Sequence, residues 1–225
     1  MRRRRLLRTP VLWMVLGTLL AAAVPVARAQ QETGTEWRFT VLLDGKPIGR
    51  HLFRLEDVAA GERVLRSDAE FSVEMFGITV YRYRHAASER WRDSCLVALQ
   101  ARTDDDGRVL QVQGEQRGDG FVVVDAGGSA AGATLPGCAM SFAYWHPALR
   151  SQTRLVNPQT GRVDAVTVTA VASAPIDVRG RRVDADGFRI AGAGGPIDVW
   201  TSAQGAWIGL DAVVGGGRRL SYRLR

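Results

Sequence analysis

The sequence predicts an all-β protein: an antiparallel meander forming an open or partly closed β-barrel of about a dozen strands, after an N-terminal signal peptide. Three observations carry this expectation. Short runs alternate apolar and polar residues with period two, the spacing that turns one face of a strand toward a core. Glycine, with aspartate, asparagine or proline, breaks those runs at near-regular intervals. Beyond residue 29 no segment sustains a helical period.

The first 29 residues have a different character. Met1–Arg8 holds five arginines and no acid, Val11–Val26 is an uncharged run, and Ala27-Arg28-Ala29 is a small-x-small step before Gln30. A basic start, a short apolar stretch and such a step are the parts of a cleavable secretory signal. The run falls short of the ~20 apolar residues of a spanning helix, and no cysteine follows it to accept a lipid. Residues 1–29 are therefore expected to be a signal peptide, residues 30–225 a single all-β domain, and the protein periplasmic or secreted, with no transmembrane span once mature. Arg2-Arg3 with Leu6 and Leu7 is compatible with twin-arginine as well as general export. The chain has 30 Lys+Arg against 23 Asp+Glu. Six of those arginines lie in the leader, which leaves 24 bases against 23 acids, a net charge of +1. Nucleic-acid binding needs a clustered basic face, and the remaining arginines are interspersed with acids, so no nucleic-acid partner is expected.

The strands follow in order. Trp37, Phe39, Val41 and Leu43 alternate up to Asp44-Gly45, a hairpin signal because such turns need positive φ. Ile48–Leu55, Val64–Val73 and Ile78–His85 continue, the last with Tyr81, Tyr83 and His85 on one face and Arg82 and Arg84 on the other. Trp91–Arg102 closes at Asp104-Asp105-Asp106-Gly107, read as a solvated turn and not a calcium loop, since calcium loops alternate their acids. Val109–Gln113 and Phe121–Val124 flank Gly118-Asp119-Gly120. Ala126–Gly137 reads as a loop, and Leu96–Leu99 or Ala148–Leu155 as places for a short helical turn. Val163–Val171, Ile176–Val178, Val183–Ile190, Ile197–Trp200, Trp207–Val214 and Leu220–Leu224 complete the series.

Chemical motifs are sparse. His51, His85 and His146 stand alone, without a local metal-ligand spacing, so neither a metal nor a cofactor is expected. Gly127-Gly128-Ser129-Ala130-Ala131 misses the last glycine of a nucleophile elbow and its strand-to-helix context. Cys95 and Cys138 either pair as a disulfide, as an oxidising compartment favours, or remain buried thiols. Cys138 lies eight residues before His146, which opens a thiolate–histidine hydrolase reading. The aromatic residues either fill the core or line a ligand cavity. Phe142-Ala143-Tyr144-Trp145-His146-Pro147 is their densest cluster, and Tyr144, Trp145, His146, Trp91 and Trp200 are the candidate ligand-binding residues.

Several segments resemble a family of uncharacterised exported bacterial proteins known only as a domain of unknown function. They are Asp44-Gly45-Lys46-Pro47-Ile48-Gly49, Glu89-Arg90-Trp91 with Leu96, Cys138–Pro147, Leu155-Val156-Asn157-Pro158-Gln159-Thr160-Gly161, Ile197-Asp198-Val199-Trp200, Trp207 and Leu220-Ser221-Tyr222. The likeness extends over nearly all of the chain after the leader, although Trp200-Thr201 departs from a Trp-Tyr pair associated with the pattern. It implies export and a β-rich fold and brings no activity. The expected function is a non-catalytic binder or carrier of an apolar small molecule or lipid. The alternatives are an envelope assembly protein, which would have an envelope protein as its partner, and a Cys138/His146 hydrolase.

Overall fold

The computed structural model describes residues 34–59, 61–125, 132–192 and 194–225. The expected signal peptide and the Gly127–Ala131 segment lie outside them.

The described residues form fourteen strands: β1 (Gly34–Leu43), β2 (Lys46–Ala59), β3 (Glu62–Met75), β4 (Ile78–Arg92), β5 (Cys95–Asp105), β6 (Arg108–Arg117), β7 (Gly120–Asp125), β8 (Thr134–Pro136), β9 (Arg154–Val156), β10 (Val163–Val178), β11 (Arg181–Gly192), β12 (Ile197–Thr201), β13 (Trp207–Val214) and β14 (Arg218–Leu224). They make one antiparallel sheet in the order β8-β7-β6-β5-β4-β3-β2-β1-β14-β13-β12-β11-β10-β9. Two meanders, β1–β8 and β9–β14, are thus zipped together where β14 pairs with β1, Val41 opposite Tyr222.

The segment between β8 and β9 runs from one outer edge to the other and brings them together. The Leu96 N–H donates to the Ala139 carbonyl at 2.9 Å and the Val156 N–H to the Met140 carbonyl at 2.8 Å. Ser141 adds a bridge to Val156. The sheet is therefore a nearly closed barrel. Register shifts in β1/β2, β2/β3, β3/β4 and β4/β5 mark bulges, which sharpen the bend that closure requires.

Four hairpins turn on a non-glycine residue followed by glycine, both with positive φ: Asp44-Gly45, Phe76-Gly77, Asp106-Gly107 and Arg179-Gly180. That geometry matches the right-handed twist of the flanking strands. Asp104 Oδ1 accepts the Gly107 N–H at 2.8 Å, so part of the acidic triplet serves the turn.

One face of the sheet forms the main core. Phe39, Leu55, Leu65, Trp91, Leu99, Phe121, Leu155, Ile190, Val199 and Trp207 come from strands all round the sheet, yet pack as one cluster, as a closed barrel requires. The outer face carries exposed ion pairs such as Arg54–Glu36 (2.8 Å) and Arg189–Asp198 (2.6 Å). A smaller outer cluster holds Ile176, Ala185, Trp200 and Ile208, where the β10–β11 hairpin bends back. The Arg179 N–H there donates to the Leu224 carbonyl at 2.9 Å.

Some boundaries differ from expectation. Trp91–Arg102 is two strands, because Asp93 takes a positive φ of 53° and turns the chain without a glycine. Val163–Val171 and Ile176–Val178 are one long bulged strand. Part of the Ala126–Gly137 loop is β8. Leu96–Leu99 lies in β5, and the helical turn is a 3₁₀ turn at Pro147–Ser151, which the His146 side chain caps by accepting the Ala148 N–H.

Candidate functional site

The inward face does not fill its interior. A cavity of about 490 Å³ remains, walled by Leu43, Phe53, Leu65, Phe71, Val166 and Ile190, by Tyr81, Tyr83, Tyr222 and Trp207, and by Phe142, Tyr144 and Trp145 of the closing segment. Strand parity explains the wall. Along β4 the inward positions are Tyr81, Tyr83, His85, Ala87, Glu89 and Trp91, and the arginines between them face out. Tyr81 and Glu89 both line the cavity. They are eight residues apart on one strand, a rise of roughly 26 Å, so the space is long and narrow.

Its two ends differ. Exposed lining residues gather near the β5–β6, β11–β12 and β13–β14 turns: Asp105, Gly194, Val213 and Val214. That end is the mouth. Glu89, Leu65 and Trp207, all buried, lie deeper. Phe76 stands 99% exposed at the tip of the β3–β4 hairpin, with Met75, Ile78 and Val80 also exposed around it. An aromatic residue at φ 53° with no packing to hold it is unusual.

Polar groups punctuate the apolar wall. Burial, assisted by the neighbouring His85, holds the His51 ring well below the usual histidine range. Burial takes His85 down to about 4. Both are neutral at pH 7. His51 Nδ1 lies 3.4 Å from the Tyr222 hydroxyl, and His85 Nδ1 lies 2.9 Å from Thr103 Oγ1. Among the described residues, the covered atoms His51 Nε2 and Trp145 Nε1 have no hydrogen-bond partner.

Glu89 is the buried acid of the cavity, 5% exposed. Burial pushes its carboxyl up to about 7, against the opposing pull of two hydrogen bonds. Ser141 Oγ donates at 2.8 Å and Trp91 Nε1 at 3.1 Å, both to Oε2. Among the described residues, no donor reaches Oε1. The Tyr144 phenol is raised chiefly by burial and then by the Glu89 charge.

The five residues expected to bind ligand separate. Tyr144 and Trp145 line the cavity. Trp91 is fully buried in solid core and serves Glu89 as a donor. His146 stacks on Trp91 and caps the 3₁₀ turn. Trp200 lies in the outer cluster, its Nε1 donating to Asp211 at 2.8 Å. Cys95 and Cys138 form a disulfide with Cα atoms 4.9 Å apart. That bond removes the thiolate a Cys138/His146 hydrolase needs, so the structure corrects that expectation. Among the described residues no group of three or more His, Cys, Asp or Glu is placed to hold a metal.

Glu89 and His51 are not among the residues expected from the sequence to bind ligand. The signal for Glu89 was present, because its parity puts it on the same face as Tyr83, His85 and Trp91.

An antiparallel, nearly closed barrel with a long aromatic cavity defines the class of protein. A crystal structure of the same general shape is that of a beta-barrel-like protein of domain of unknown function DUF1849 from Brucella abortus. The TM-score is 0.60 over 84% of this chain and 94% of that one, at 13% sequence identity, a likeness of fold alone. The chain belongs to the DUF6134 family, a domain of unknown function whose model matches residues 39–225. No curated protein matches it.

Proposed function

We propose that the protein is a non-catalytic binder or carrier of an apolar or lipid-like ligand, working in the periplasm or outside the cell after loss of residues 1–29. The observation that carries this reading is the long cavity walled by Phe53, Phe71, Tyr83, Trp207 and Tyr222 and open at one end. Ligand sites of this kind are concave, mostly apolar and studded with a few polar groups that fix orientation. The disulfide suits an oxidising compartment.

Titration with N-phenyl-1-naphthylamine, a neutral dye that brightens in apolar surroundings, tests the cavity. A saturable rise in dye fluorescence, displaced by lipid extracted from the host envelope, is expected. An absence of saturable binding overturns the reading. N-terminal sequencing of protein recovered from the periplasm tests the location, with Gln30 as the expected first residue.

An envelope assembly role is the second reading, and the exposed hairpin tip favours it, since a fully exposed phenylalanine beside exposed Met75 and Ile78 is a contact surface in wait. The two readings part on Phe76→Ser. A carrier keeps its dye affinity within about twofold, because Phe76 does not line the cavity. An assembly protein loses its envelope phenotype with the cavity intact.

A further inference from the structure

We propose that the cavity selects ligands whose polar end is a cation: an amphiphile with an ammonium or amine head on an extended apolar body, with Glu89 as its counter-ion. This inference rests on the cavity being a binding site, as proposed above.

The charge of the wall points this way. The chain carries 30 Lys+Arg, yet none of the described residues lining the cavity is a lysine or an arginine. Three are acids: Glu89, Asp105 and Asp164. The two lining histidines are held neutral by burial, so they add no positive charge. Asp164 is partly satisfied already, by Arg162 at 3.7 Å and the Asn157 amide at 3.3 Å. Asp105 accepts the Tyr81 hydroxyl at 2.6 Å. Of the three, only Glu89, at the inner end, is buried, while Asp105 is exposed and Asp164 half-buried.

The geometry of Glu89 is that of a prepared acceptor. Ser141 and Trp91 both hold Oε2 and so fix the plane of the carboxyl group. Among the described residues no donor reaches Oε1, and the side chain is almost wholly buried. A buried carboxylate without a cation is costly, and its upward-shifted pKa is the sign of that cost. Aromatic rings share the inner end. Tyr144 and Phe53 flank Trp207, with ring centroids 5.3 Å and 5.0 Å from it. Aromatic faces carry negative quadrupole charge and attract organic cations, most strongly where water is excluded. Trp145 contributes less, because the Arg63 guanidinium already lies 4.8 Å from its ring centre. An anionic head would meet the same carboxylates and ring faces with the opposite sign.

Decyltrimethylammonium, decanol and decanoate share one alkyl chain and differ in head charge. Their binding to the purified chain is measured by calorimetry below micellar concentration, at about pH 8, where Glu89 is mostly ionised. Decyltrimethylammonium is expected to bind about tenfold tighter than decanol, and decanoate about tenfold weaker. Glu89→Gln retains a carbonyl oxygen for Ser141 and Trp91, and is expected to bring the ammonium-to-alcohol affinity ratio to about one. Equal affinity for ammonium and alcohol, or preference for decanoate, overturns the cation proposal and leaves the carrier reading standing. A folded Glu89→Gln protein with an unchanged ratio also overturns it. Failure of all three to bind overturns both readings. If the variant does not fold, the wild-type series decides alone.

Discussion

Glu89 is where stability and binding meet at the scale of a single side chain. Its carboxyl is raised from its ordinary 4.5 to about 7 by burial. Between those values the folded chain keeps a proton that the unfolded chain has released. Stability therefore falls as pH rises through that interval, and the loss is complete above about pH 7. The full effect is about 3 kcal/mol. Glu89→Gln removes the titration while keeping the Ser141 and Trp91 bonds. The stability difference between variant and wild type, from urea unfolding, should widen in favour of the variant by about 3 kcal/mol between about pH 4 and pH 8. A pH-independent difference would place the cost of Glu89 elsewhere. Gly49, in the Asp44–Gly49 segment, shows a different residue-scale constraint. A Cβ there would lie 2.0 Å from the Glu70 carbonyl oxygen, so the close approach of β2 to β3 at that point admits only glycine. Gly49→Ala is expected to cost about 3 kcal/mol or more, read as a lower urea midpoint.

At the scale of elements, the segment from Gly137 to Thr153 does the most with the least regular structure. It joins the two edge strands, supplies Phe142, Tyr144 and Trp145 to the inner end of the cavity, and delivers Ser141 to Glu89. The Cys95–Cys138 bond pins its start to the start of β5. A sequence separation of 43 gives a loop-closure contribution of about 4 kcal/mol. Replacing both cysteines by alanine should lower the unfolding free energy by about that amount, measured in urea. The same change should loosen the inner end, seen as weaker dye binding at a temperature where the variant is still folded. Undiminished dye affinity would show that the inner end holds its shape without the covalent tie.

At the scale of the whole molecule, a sheet built as two meanders must bend sharply to meet itself, and its side chains cannot all reach the axis. The main cluster packs part of the interior densely, around Trp91, Leu99, Phe121 and Leu155. The cavity is what remains between β1–β5 and β10–β14. Ala212 lines it, and a tryptophan at that position should occupy the space. Ala212→Trp is expected to cut dye affinity more than tenfold while the circular dichroism spectrum keeps its strand signature. Unchanged affinity in that variant would locate the dye outside the barrel.

Much of this was legible in the sequence, for reasons that are local. Period-two alternation named the inward faces of β1 and β4 because strand geometry fixes side-chain direction over a few residues. Asp44-Gly45 and Asp106-Gly107 announced their turns because few residues tolerate positive φ. The turn at Asp93 was invisible, since its residue type gives only a weak preference for that conformation. Trp200, Trp145 and Trp91 are alike in sequence and separate in space, on an outer cluster, a cavity wall and a solid core. Only the curvature of the sheet and the return of the β10–β11 hairpin decide which side of the barrel each one meets. The cavity, the pairing of Cys95 with Cys138 and the want of a donor to Glu89 Oε1 among the described residues are likewise tertiary facts. Each depends on which distant strands come face to face, and alternation along one strand carries no record of its neighbours across the barrel.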